Sequence, residues 1–467
     1  MIIKQYKVLL GLLLCVPFCS KAQTLQDTLN KIDALFEHVN QQTPGVSVLV
    51  SRNGQILYHK HKGMADLEHS TPITDSTRIE AGSVSKQFTA TAVLILVQDG
   101  KIGLDDDVRK YIPELPGYEK TITVRHLLNH TSGLKDWGVV ASLGGWPRGT
   151  RVYTNELALN YIVKQPTLNN VPGDEYLYSN SNYTLLTLIV ERVSGKKLAD
   201  FTQERIFKPL GMHATSWRTD FQDIVPHRAI GYDKTGRQYQ TVMPFENTYG
   251  HAALLTTVAD LDKWNTSWKN SPLGGDRLLK LRIERGVLNN GDTIRYAGGV
   301  FVDTYNGHPM VSHTGATAGY RAVLSYFPET SLSIVYLSND ASLPTSKMGN
   351  GIAAIFFGKK QAISASEKKI SEIPKYLLSH TELMEFQGRY VSAACEGELV
   401  ATIENETTLT MTSKSNRKRK LKPTAKDMFS QGAETSFLFK RDEQGKIKGF
   451  YVSVPRARNV WFERVDN

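Results

Sequence analysis

A serine followed three residues later by a lysine is the smallest unit of this 467-residue sequence that could carry covalent chemistry, and it occurs at Ser83, Ser132, Ser194, Ser366 and Ser415. Positions i and i+3 share a helix face, so the amine lies beside the hydroxyl and can take its proton. Only Ser83-Val84-Ser85-Lys86 leads directly into a long apolar helical pattern, Gln87 to Gln98, closed by Gly100. A helix start also supplies free backbone N–H groups and a positive dipole end, both useful where an oxyanion develops. Standing alone, the same four residues read as a capping serine and a solvated lysine.

Two further triplets follow in order. Tyr178-Ser179-Asn180 comes after Pro172-Gly173-Asp174 and before a second helical pattern, Tyr183 to Val193, closed by Gly195. A phenol beside a lysine ammonium can become a base, because the cation favours the phenolate. Tyr153-Thr154-Asn155 has the same spacing but lies in a polar stretch without that setting. His313-Thr314-Gly315 follows Val311-Ser312. There Gly315 would let a substrate backbone approach a strand edge, Thr314 offers a hydroxyl, and the N–H of Ala316 could complete an oxyanion hole with that of Ser83. Lys234-Thr235-Gly236 spells a similar triplet, but between Tyr232-Asp233 and Arg237 it reads as a hairpin turn.

Other chemistries lack their parts. His126 and His130 are four apart on an expected helix, yet no Glu or third ligand accompanies them, so no metal is expected and helix-end packing accounts for both. A Gly-x-Ser-x-Gly elbow, a phosphate loop and a dinucleotide fingerprint are all missing from the sequence, and no cofactor is expected.

The elements that must position these residues read as an α+β domain. Val46 to Val50 and Ile56 to Tyr58 flank Asn53-Gly54, a hairpin signal, and a second hairpin runs from Ala322 to Tyr326 and Leu332 to Leu337. Helical patterns fill the middle, including Val258 to Trp264. An antiparallel sheet flanked by helices, with a helical subdomain, is therefore expected over 23–357. A polar linker follows over 358–380, then a small all-β, barrel-like module over 381–467 with short runs such as Gly388 to Tyr390, Thr408 to Met411 and Phe450 to Val454. That module contains none of the candidate site residues, so it is expected to be dispensable for chemistry.

Ser83 to Lys86, Tyr178 to Asn180 and His313 to Gly315 together resemble the three ordered motifs of the serine β-lactamase-like hydrolases, in the branch of class C β-lactamases and D-alanyl-D-alanine carboxypeptidases. His126 to Leu134, Pro209-Leu210-Gly211-Met212 and Leu254-Leu255-Thr256-Thr257 are similar to connecting phrases of that group. The resemblance implies Ser83 as acylated nucleophile, Lys86 and Tyr178 sharing its proton, and Asn180 orienting substrate and Lys86. His313 and Thr314 would contact substrate, with Gly315 and Ala316 at the strand edge. A small amide, peptide or ester is the implied substrate; a true β-lactamase, or a cell-wall peptide-binding protein without turnover, is the alternative. Two departures bear on this. His313 stands where the β-lactamases carry Lys, which weakens carboxylate recognition near pH 7 and would restore charge toward acid, and Ala252-Ala253 replace the paired glycines of many relatives.

The first 22 residues read as a signal peptide: Lys4 and Lys7, an apolar stretch from Val8 to Phe18 too short to span a bilayer, then Ser20-Lys21-Ala22. Secretion or a periplasmic location is expected, with envelope association an option; lipid attachment at Cys19 is the rival, disfavoured by the bulky Pro17-Phe18 before it. Cleavage after Ala22 leaves Cys395 alone and removes three lysines and no acid, lowering the formal charge from +10 to +7. Seven basic residues crowd between Lys414 and Lys426 without interleaved aromatics, so a solvated hairpin face is expected there and no nucleic-acid partner. The sequence leaves the oligomeric state open.

Overall fold

The computed structural model describes residues 16–269, 272–359 and 376–465. Residues 1–15 of the expected signal peptide, most of the expected linker and Ser366 lie outside them.

Six strands form an antiparallel sheet in the order Phe301–Tyr305, His308–Thr317, Tyr320–Phe327, Leu332–Ser338, Val46–Arg52, Gln55–Lys62. Strands from the two ends of the hydrolase region thus meet at its centre, where Val46–Arg52 pairs with Leu332–Ser338. The Asn53-Gly54 turn has φ of 51° and 77°, the doubly positive geometry of the hairpin turn expected there. Val46–Arg52 is covered on both faces, which explains its nearly unbroken apolar run. Val46, Val48 and Val50 pack with Ile32 of helix Val16–Leu35, with Phe36 just beyond its end, and with Met348 and Ile352 of helix Thr345–Phe357. On the other face Leu49 joins the main core, and Ser51 donates to Asp262 of helix Val258–Thr266 at 2.7 Å.

Helix Lys86–Gln98 is buried from Lys86 through Leu96 and packs against helix Asn180–Ser194, the centre of the helical subdomain. Beyond the hydrolase region, eight strands from Gly388–Ser392 to Ala457–Val465 close into a barrel around Tyr390, Phe429, Phe437, Phe439, Phe450 and Phe462. The architecture is therefore α+β with a C-terminal all-β barrel.

The barrel is not a loosely tethered appendage. Its side chains belong to the same continuous core as the helical subdomain. A Cβ on Gly144 would lie 2.1 Å from the Cys395 carbonyl oxygen, so backbone meets backbone at this junction. Arg458 pairs with Glu175 at 2.7 Å, Lys164 with Glu396 at 2.5 Å, and Asp136 N–H donates to the Arg456 carbonyl at 2.9 Å. These contacts argue against the expectation that the module is dispensable for chemistry. A chain ending at Phe357 exposes the barrel-facing side of Trp137–Leu143, and we expect it to aggregate or to acylate at least about tenfold more slowly than the full chain. Monodisperse truncated protein acylating at the full rate, by stopped-flow labelling, would refute this.

Candidate active site

Ser83 sits not on the long helix but on the 3-10 turn Gly82–Ser85 that introduces it. In a 3-10 turn, side chains at i and i+3 eclipse, which brings Lys86 directly under Ser83. Lys86 Nζ lies 3.3 Å from Ser83 Oγ, donates to Asn180 Oδ1 at 2.9 Å and to the His251 carbonyl at 2.7 Å, and is fully buried. The cap position of this turn is Ala81 and that of helix Lys86–Gln98 is Ser85, so the capping reading does not describe Ser83.

The other Ser-x-x-Lys matches among the described residues have partners of their own. Ser132 donates to Asn182 Oδ1 at 2.6 Å, while Lys135 binds the Thr167 carbonyl. Lys197 pairs with Glu191 at 3.5 Å and Lys418 with Glu404 at 3.0 Å. The Tyr153 hydroxyl is taken by the Trp146 carbonyl, and Lys234-Thr235-Gly236 runs from the exposed end of strand Tyr232–Thr235 into the turn that leads to Gln238–Thr241.

Asn180 opens helix Asn180–Ser194, and its N–H donates to Asp136 Oδ2 at 2.8 Å. Asp136 is 2% exposed and also caps helix Trp137–Leu143 through the N–H groups of Gly138 and Val139. Burial holds the Lys86 amine well below the usual lysine range; Asp136 opposes this, and the charges of Arg148 and Arg456 reinforce it. The Tyr178 hydroxyl is buried without a hydrogen-bond partner, and Lys86 Nζ lies 4.9 Å from its ring centroid, over the face rather than at the oxygen. Burial pushes this phenol up, the Ser83 hydroxyl counteracting only in part. Both effects run against the expected phenolate: burial favours the neutral phenol of Tyr178 and disfavours the charged amine of Lys86.

Gly315 and Ala316 come to Ser83 by close backbone approach. A Cβ on Gly315 would meet the Ala81 carbonyl oxygen at 1.9 Å; one on Gly82, whose φ is +51°, would meet the Ala316 nitrogen at 2.7 Å. Strand Phe301–Tyr305 pairs only as far as Ser312, so on that side the edge from His313 to Thr317 has no strand neighbour among the described residues, and it lies beside Ser83. Thr314 and Ala316 are exposed along it, where an extended substrate can pair.

His313 departs from expectation. It is 3% exposed, donates from Nδ1 to the Thr314 carbonyl at 2.6 Å and faces the Tyr296 hydroxyl with Nε2 at 3.2 Å. Burial, helped by the nearby Lys86, holds its pKa down to about 3. It is a buried imidazole rather than an exposed one, and burial works against the gain of charge expected between pH 5 and 8. His126 accepts the Thr123 N–H within a capping box. His130 accepts from Ser179 N and Asn182 Nδ2, supporting the Tyr178 turn from beneath. Ala253 has φ of +76°, the left-handed region that favours glycine.

A family model described as Beta-lactamase matches residues 32–355. The chain belongs to the Beta-lactamase family. As a member it is a serine hydrolase in general type. It is 28% identical to penicillin-binding protein 4* of Bacillus subtilis over 335 residues, 67% of this chain and 72% of that protein. It is 30% identical to protein flp of Staphylococcus aureus over 327 residues, again 67% of this chain but only 63% of that relative's length. An octameric penicillin-binding protein homologue from Pyrococcus abyssi superposes with a TM-score of 0.62 at 22% identity, covering 95% of this chain and all of its own. That likeness extends the shared fold through the barrel.

Sequence reasoning missed Asp136, the His251 carbonyl, Tyr296 and Arg456. A main-chain acceptor leaves no mark in residue types, and Arg456 reaches the site from the far end of the chain. Arg456 lies 3.6 Å from Asp136, and its charge disfavours the Lys86 ammonium. Arg456→Gln removes that charge, so the acid limb of kcat/KM, which follows loss of the Lys86 proton, is expected to move to higher pH. A limb that stays in place, or moves to lower pH, would contradict the electrostatic assignment.

Proposed function

We propose that this chain is an exported serine hydrolase that cleaves a small amide or ester, as a peptidase or esterase related to the D-alanyl-D-alanine carboxypeptidases, through an acyl-enzyme on Ser83. The observation that carries the reading is a fully buried lysine amine 3.3 Å from a partly exposed serine hydroxyl, with burial holding that amine below the usual lysine range. As Ser83 Oγ attacks the carbonyl carbon, Lys86 takes its proton. The N–H groups of Ser83 and Ala316 hold the oxyanion. Tyr178, with its own proton, passes a proton to the departing amine or alkoxide, and the proton held on Lys86 balances that loss. Water then attacks the acyl carbonyl by the reverse proton path and releases the acid. Asn180 fixes Lys86 and the substrate amide, and Thr314 donates along the strand edge.

The neutral, buried His313 supports simple esters and D-amino-acid peptides over β-lactams, because the lysine charge that would meet a β-lactam carboxylate is missing. Specificity constants for a simple ester, a D-alanyl dipeptide and a cephalosporin test this. The ester or peptide is expected to lead by at least about tenfold; a cephalosporin hydrolysed best would overturn the substrate assignment.

Export rests on Lys4, Lys7 and the short apolar run before Ala22. Intact mass of the protein recovered from its natural host is expected to place the first residue at Gln23. Retained residues 1–22, or a lipid on Cys19, would contradict it.

A further inference from the structure

The barrel turns its mouth toward the hydrolase domain, and the basic cluster between Lys414 and Lys426 is divided there. Strand Lys418–Ala425 alternates, so Lys418 and Lys420 point outward and pair with Glu404 at 3.0 and 3.3 Å. Arg419 lies on the inward face with Leu421 and is 6% exposed. The expectation of a uniformly solvated face is corrected at that residue. Its Nη1 is buried with no partner, and its Nη2 reaches only the Ser142 carbonyl at 3.4 Å. A buried guanidinium without a carboxylate is costly unless something supplies the missing acceptor.

Arg419 lines a cavity of about 370 Å³ between the two domains, together with Arg417 and Arg456 of the barrel and Asp136, Arg148 and Asn180 of the hydrolase domain. The charges do not balance. Arg148 is neutralised by Glu246, with Nε to Oε2 at 2.7 Å. Asp136 faces Arg456 at 3.6 Å, and its oxygens already accept from Gly138, Val139 and Asn180. Arg417 is exposed and makes no ion pair among the described residues. Two guanidinium charges, those of Arg417 and Arg419, thus remain uncompensated in a cavity that reaches Asn180, the residue holding Lys86. The space beside Ala316 to Ala318 is a separate cavity.

We propose that this interdomain cavity is a substrate subsite for a carboxylate, so that the enzyme prefers amides or esters bearing an anionic group that extends past Asn180 into the barrel mouth. Arginine suits the task, because its planar fork of donors matches a carboxylate bidentately and stays charged when desolvated. The barrel would then serve as the specificity element of the site. This inference rests on the Ser83 hydrolase reading.

The test compares ester pairs of equal length. One pair differs in the acyl half, butyryl against succinyl, and the other in the leaving half, 4-methylphenyl against 4-carboxyphenyl. Wild type is expected to favour the carboxylate member of one pair by at least about tenfold in kcat/KM, and the pair that shows it tells which half enters the cavity. Arg417→Gln, at an exposed position where folding is not at stake, is expected to reduce that ratio at least about threefold through KM, and Arg419→Gln to reduce it further. Equal rates within both pairs, or a preference unchanged in both variants, would overturn the proposal. Phosphonate labelling of Ser83 in the same samples separates the two readings. Labelling without a carboxylate preference defeats this inference alone, whereas lack of labelling defeats the hydrolase assignment beneath it.

Discussion

Lys86→Met is expected to slow acylation of Ser83 by about a thousandfold or more, because one member of a cooperative nucleophile–base pair carries nearly all of the covalent chemistry. Methionine keeps most of the length and apolar bulk of the lysine stem in a position that is 0% exposed, so packing is largely retained while the base is lost. The Asn180 Oδ1 and His251 carbonyl each lose a donor, which costs stability, and a thermal melt on the same sample separates that effect from the chemical one. Lys86→Arg does not rescue the rate, since a guanidinium keeps its proton even when buried. A folded Lys86→Met protein acylating within about tenfold of wild type would show that another group takes the Ser83 proton.

Gly315→Ala is the second large effect. The new methyl group would sit 1.9 Å from the Ala81 carbonyl oxygen and 3.2 Å from the Ala322 side chain, so it has nowhere to go. The first contact is with backbone, on the residue before the turn that carries Ser83. Relief therefore requires the strand edge and the turn to separate, which pulls the Ala316 N–H away from the oxyanion position. Losing one such donor costs roughly a hundredfold to a thousandfold in kcat, and a displacement near 1 Å costs about a hundredfold by itself. We expect kcat to fall by about a hundredfold with a smaller change in KM. A steady-state kcat within about threefold of wild type would mean that this approach does not define the site.

What the sequence made legible, and what it hid, divides along the range of the interactions. The Ser83 and Lys86 pair is local, and a three-residue spacing is a statement about adjacency whether the turn is α or 3-10. The Asn53-Gly54 hairpin, the two helix stops at Gly100 and Gly195 and the β runs of the barrel are local in the same sense. The Lys234 triplet was separable from His313 because turn residues announce themselves. The role of His313 was not legible: the residue type promises a group that charges near neutrality, and only burial against Tyr296, Phe301 and Lys86 removes that property. Asp136 and Arg456 are far apart in the chain, and no spacing rule links them. Arg419 did leave a trace, since the alternation Lys418-Arg419-Lys420-Leu421 places it on the side of the leucine. A cluster of like charges hides that pattern unless the period of two is read through it.

The central claim is that Ser83 becomes covalently acylated, and mass spectrometry of trapped enzyme tests it most directly. The protein is quenched in acid during turnover of a slow ester and digested with trypsin, and the peptide Ile79–Lys86 is fragmented. That peptide also contains Ser85, whose hydroxyl is buried and accepts from the Leu254 N–H at 3.2 Å, so fragmentation must assign the adduct to one of the two. The predicted result is the acyl mass on Ser83, absent from the Ser83→Ala protein. An adduct on Ser85 or on any other residue, or steady hydrolysis with no adduct trapped and full activity in Ser83→Ala, would contradict the mechanism.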